Sequence, residues 1–152
     1  MLDPNLLACK EHIDLLKQLI ASDAWIDVTQ GFDIRLVNDE NIEYIKQMKL
    51  KALHFAWDNP KDDLYSKFKN FVDKSNIKPY KITCYVLTNF DSTLEQDLYR
   101  IYALRSLGIA PYVMIYDKQH APDIMRKLQR WANNRFIFKT VERFEDYDSH
   151  LG

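Results

Sequence analysis

The chain has 152 residues, enough for one domain with a real core. Its composition is 47% hydrophobic and 28% charged, ordinary for a globular protein, and its formal net charge of −1 argues against a non-specific nucleic-acid surface. No run of about 18 apolar residues offers a membrane span, and the N-terminus lacks a basic stretch followed by an apolar run.

In chain order, the first segment, Asn5–Ala21, places Leu6, Cys9, Ile13, Leu16 and Ile20 on one helical stripe. Trp25–Gln30 follows as a strand, with Gly31 just beyond it. Asp39–Met48 reads as a short helix with Ile42, Ile45 and Met48 inward and Asn38 or Asp39 as its cap. Lys51–Trp57 is the next strand, and Asp62–Ser75 a helix built on Leu64, Phe68, Phe71 and Val72. Ile82–Thr88 is a strand that ends in the polar corner Asn89-Phe90-Asp91-Ser92-Thr93. Ser92 or Thr93 should cap the helix Thr93–Leu107, with Glu95 completing a box on Ser92 and Gly108 as the C′ residue. Pro111–Tyr116 is the fourth strand. Pro122–Asn133 is a helix with Ile124, Leu128 and Trp131 inward, and Arg135–Gly152 is expected to be a packed tail with little regular structure.

Strands that recur about every thirty residues with a helix between them are βα units, which implies an α/β fold with a mostly parallel sheet of about four strands. Within each strand the residues separate into two sets. Asp27 and Thr29, His54 and Asp58, Thr83 and Tyr85, and Tyr112 and Tyr116 alternate with aliphatic or aromatic partners. A parallel strand covered on both faces should be almost continuously aliphatic. The expectation is therefore a partial (βα) barrel forming a single domain, with helices on the outer face and a polar, aromatic inner face lining a cavity. The plainer alternative is an incomplete sheet with one solvated face.

Cys9 and Cys84 form neither a disulfide framework nor a metal-ligand spacing. Two reduced thiols, Cys84 buried in its strand, point to the cytoplasm.

Several segments in order, LDPNLLA, IDVTQGFDIR, LHFAWDNPKDD, LTNFDSTLEQDLYR and PYVMIYDK, are similar to the later strands and tips of the radical S-adenosylmethionine (SAM) domain, a partial (βα)6 barrel. The corner after Thr88 resembles that family's fifth strand and following helix, often written G-F-P-G-E-T-x-E-D, with Asn89 where a glycine is usual. The resemblance implies SAM and a [4Fe–4S] cluster as cofactors of the intact domain. It also implies that this chain corresponds to the later two-thirds of one. The family's C-x3-C-x2-C cluster loop has no counterpart here. By this reading the chain is either a fragment, whose cluster loop and first strands lie in a missing N-terminal part, or a degenerate member without its cluster.

The resemblance and the rule that βα barrels place chemistry at strand C-termini together nominate cofactor-binding residues at the tips. Gln30 and Arg35 would reach SAM or a substrate carboxylate, unless Arg35 is taken by Asp33 or Asp39. Asp58 and Asn59 would accept hydrogen bonds from a ribose or an amino group, unless they only form an Asx turn ahead of Pro60. Asn89, Asp91 and Tyr116 complete the set; Ser92 reads better as a cap, and His54 as a satisfied core histidine. No residue of this chain is expected to ligate metal or to act as a catalytic group by itself. The competing readings are a non-catalytic interaction module, able to form a homodimer through an exposed sheet edge, and a phosphate-binding barrel fragment, which the absence of Gly-rich loops disfavours.

Overall fold

The computed structural model describes residues 5–150. It has ten main elements: α1 (His12–Ala21), β1 (Ile26–Phe32), α2 (Asp39–Ile45), β2 (Leu50–Ala56), α3 (Tyr65–Ser75), β3 (Ile82–Thr88), α4 (Leu94–Ser106), β4 (Ala110–Ile115), α5 (Asp123–Asn133) and α6 (Arg135–Thr140). The four strands form one sheet in the order β1-β2-β3-β4, and every neighbouring pair is parallel.

That order is consequential. Right-handed crossovers that always step the same way put all connecting helices on the same face. The side chains agree: in β3, Ile82, Cys84, Val86 and Thr88 are buried and Thr83, Tyr85 and Leu87 only half-buried. In β2, Leu50, Leu53 and Phe55 are buried, whereas His54 is half-buried and Ala56 exposed. The helical face carries the core. Phe55 lies at its centre, with Phe68 and Phe71 edge-on at 5.5 and 5.1 Å. A second cluster, built on Val113, Leu128, Trp131 and Phe144, closes the β4 side.

The helix ends follow capping chemistry. Asn38 caps α2 and Asn41 answers its backbone, a reciprocal box. At α4 the cap is Thr93, answered by Gln96, so the box lies one residue beyond the Ser92–Glu95 pair that the sequence suggested. Ser92 instead turns inward beside Asp97. Gly108 ends α4 at φ +76°, as a C′ glycine should.

Three further expectations are corrected. The helix expected over Asn5–Ala21 is broken: a 3₁₀ turn at Leu6–Ala8, capped by Asn5, gives way to extended Cys9 before α1 begins at His12. The tail after α5 is not irregular, because Asn134 accepts from the backbone N–H groups of Phe136 and Ile137 and starts α6. Ile124 faces solvent on α5, and Met125 takes the inward place.

The two sheet edges differ. On β4 the Asn133 side chain accepts from the Val113 N–H at 2.7 Å and donates to the Val113 carbonyl at 3.0 Å, with Gln129 donating there too. An amide so placed stands in for a neighbouring strand and stops the sheet. No side chain among the described residues caps the outer edge of β1 in this way.

Candidate functional site

The chain leaves β1 through an irregularity. Pairing with β2 is regular only in pieces, shifting between Val28 and Phe32, where Phe32 is opposite Phe55. Gly31 lies within the strand rather than beyond it, at φ +81°, and a Cβ there would come within 3.2 Å of the His54 carbonyl oxygen. Both facts favour glycine over a residue with a Cβ. The bend carries Gln30 and the following loop over the C-terminal end of β2.

A cavity of about 330 Å³ results, between the ends of β1 and β2. Its apolar wall is Phe32, Phe55 and Leu64, and its polar wall includes Gln30, Asp58 and Asn59. Asp33, Arg35 and Asp62 stand at its rim, and Tyr85 reaches it from β3.

Arg35 is already engaged. Its Nε and Nη2 donate to both oxygens of Asp33, at 2.9 and 2.7 Å, and Asp62 lies 3.9 Å from Nη1. This fork holds the Asp33 carboxyl below its ordinary range. Asn59 accepts from the Lys61 N–H at 3.0 Å, the Asx turn that Asp-Asn-Pro favours, and still lines the cavity. The Asp58 carboxylate has no hydrogen-bond partner among the described residues. Three carboxylates, Asp33, Asp58 and Asp62, thus face one guanidinium, which gives the cavity a negative balance.

Of the tip residues named from sequence, Gln30, Arg35, Asp58 and Asn59 meet here. Asn89, Asp91 and Tyr116 sit at a separate corner. Asn89, at φ 62°, donates its amide to the Tyr116 carbonyl at 3.0 Å and so ties the ends of β3 and β4 together. Asp91 pairs with Lys61 at 3.2 Å, and the Tyr116 ring packs on Phe90 at 4.8 Å.

The inner face of the sheet carries a ladder. His54 stacks on Tyr85 at 5.5 Å, and Tyr85 meets Tyr112 edge-on at 5.7 Å. Asp27 lies 3.9 Å from His54 Nδ1. The alternating residues therefore do share one face. His54 is half-buried, with Nδ1 donating to the Val28 carbonyl at 3.0 Å across the irregular stretch of β1.

Sequence reasoning missed Arg100 and Asp97, both buried on α4. Arg100 donates to the carbonyls of Trp57 and Asp58 at 2.6 and 3.1 Å, of Leu87 at 2.9 Å, and to Asp97 at 2.6 Å. One guanidinium thus fixes the exits of β2 and β3, including the backbone of Asp58. Burial pushes the Asp97 carboxyl up, against the Ser92 hydroxyl and Arg100, which draw it down. A signal existed: Asp97 and Arg100 are spaced i, i+3 and run into Ile101 and Leu104, so they share the buried stripe.

No family model, curated protein or solved structure matches the chain.

Proposed function

We propose that the chain is the later part of a radical SAM domain, that it contributes the strand ends that hold SAM and part of the substrate wall, and that it does no catalysis alone. The observation that carries this reading is the acidic cavity at the C-terminal ends of parallel strands, opening beside the uncovered face. SAM carries a sulfonium and an ammonium, and a cavity with surplus carboxylates favours such a cation. Asp58 and Asn59 would take its hydroxyl or amino hydrogens, Gln30 would offer either end of an amide, and Tyr85 an aromatic wall. Arg35 spends Nε and Nη2 on Asp33, and its Nη1 would be the atom left to reach a ligand. In the intact family SAM supplies hydrogen-abstraction chemistry at a cluster.

The iron–sulfur cluster does not fit these residues. A cluster needs several thiolates, and the chain has two cysteines. Cys84 is fully buried with its thiol pushed well up by burial, and the Cys9 thiol donates to Glu11. Cluster ligands would have to come from chain outside this sequence, on the side of the uncapped β1 edge. The same edge supports the second reading, a non-catalytic module that pairs with another copy there. No helix among the described residues is long and apolar enough to cross a membrane. With two free cysteines, the cytoplasm is the setting proposed.

The test is calorimetric titration of the chain with SAM and with S-adenosylhomocysteine, which lacks the sulfonium charge. Saturable binding weaker than roughly 0.1 mM is expected, tighter for SAM, and Asp58→Asn should weaken it about tenfold. Equal affinity for both ligands, or no saturation by either, overturns the assignment. Anaerobic incubation with iron and sulfide should give no stoichiometric brown chromophore; one would refute the statement about the cluster.

A further inference from the structure

The inner face carries a second cavity, about 490 Å³, over the N-terminal halves of β3 and β4. Its chemistry is opposite to that of the first. Among its lining residues are His54, Thr83, Tyr85, Tyr112 and Arg135, and none is a carboxylate. Asp27, which is not among the lining residues, lies 3.9 Å from His54 Nδ1. The Arg135 guanidinium is exposed at the start of α6 and has no carboxylate partner among the described residues.

The histidine's hydrogen bond fixes what its ring can offer. A backbone carbonyl only accepts, so the 3.0 Å contact to Val28 requires the proton on Nδ1. The neutral ring therefore keeps its lone pair on Nε2, which has no partner among the described residues. Nor do the hydroxyls of Tyr85 and Tyr112 have one. Stacking of His54 on Tyr85, at 12° between planes, holds the imidazole in place. Tyr112 lines the cavity and is 45% exposed, which leaves aromatic surface for a ligand to pack on.

We infer that this cavity binds a small planar aromatic carboxylate that carries a hydrogen-bond donor. Arg135 takes the carboxylate through a two-bond fork, the Tyr112 face takes the ring, and His54 Nε2 accepts from the donor. An anion of this kind is repelled by the first cavity, whose carboxylates outnumber its guanidinium. The two cavities share Tyr85 as a wall, yet the ligand proposed here touches none of Gln30, Asp58 or Asn59. Binding in the two places can therefore fail separately.

The probe is 4-hydroxybenzoate, added to the full chain and followed by amide NMR shifts and calorimetry. For a ligand of this size the expected dissociation constant is on the order of a millimolar. Saturable shifts should centre on Thr83, Tyr112 and Arg135. Benzoate should bind about threefold more weakly, because it lacks the donor, and 4-hydroxybenzyl alcohol at least about tenfold more weakly, because it lacks the anion. Arg135→Gln, at an exposed position that leaves the core intact, should weaken 4-hydroxybenzoate about tenfold, with Arg135→Lys between the two. Absence of saturation up to about 20 mM, shifts centred elsewhere, or an unchanged constant in Arg135→Gln would overturn the assignment.

Discussion

Replacing Arg100 by Met should damage this fold more than any surface change. The side chain is 1% exposed and fills space that Met can largely occupy, so the loss is electrostatic rather than volumetric. What remains is a buried Asp97 carboxylate without its cation and three carbonyls, those of Trp57, Asp58 and Leu87, without a donor. Breaking a buried pair from one side costs about 3–5 kcal/mol. For a domain of this size that is a fall in melting temperature on the order of 6–20 °C. The assay is urea unfolding at neutral pH, reading the midpoint at constant slope.

A double variant, Asp97→Leu with Arg100→Met, removes the orphaned charge as well. It should recover only a minor part of the loss, at most about 2 kcal/mol, since the three carbonyls still lack donors at about 1 kcal/mol each. Burial already raises the Asp97 carboxyl in the native protein, so protonation favours the folded state between its ordinary value and the raised one. Without Arg100 the rise is larger, and the penalty of Arg100→Met should shrink as the pH is lowered through that window. A single-variant loss below about 1 kcal/mol with unchanged slope, or a penalty that grows on acidification, would refute this account of the buried pair.

Gly31→Ala should cost about 1–3 kcal/mol in the same unfolding assay, because alanine would be forced into the left-handed region and its Cβ toward the His54 carbonyl; a neutral result would mean that the β1 irregularity is not the constraint described. Asp33→Asn keeps an oxygen for the Arg35 N–H and removes the titration. Since Arg35 lowers the native Asp33 carboxyl, its contribution is present above the ordinary aspartate value and lost as pH falls through the lowered one. Between roughly pH 5 and pH 3 the variant's urea midpoint should therefore fall less steeply than that of the native protein, and parallel curves would contradict the pairing.

Much of the architecture was legible because strand and helix periods are local. The parity of Thr83 and Tyr85 against Ile82 and Cys84 fixed which face of β3 goes inward, and β3 itself runs over Ile82–Thr88 as read from sequence. Asn38 and Gly108 marked helix ends through chemistry confined to one turn. The helix expected over Asn5–Ala21 shows where this stops: an apolar stripe does not reveal that Asn5 turns its side chain onto Leu7 and that Cys9 is extended.

Which tip residues meet was decided by tertiary structure. Gln30, Asp58 and Asn59 share a cavity only because β1 shifts register against β2 around Gly31, and register is a property of two strands, not of one. The sequence left Arg35 open between a ligand and a pairing with Asp33 or Asp39, and the pairing with Asp33 depends on the turn following Phe32. Arg100 looked like one more charge on a helix, and its role exists only where α4 lies across the exits of β2 and β3. Periodicity along a chain specifies faces, while contacts between distant segments are set by the relative position of elements, which sequence pattern leaves free.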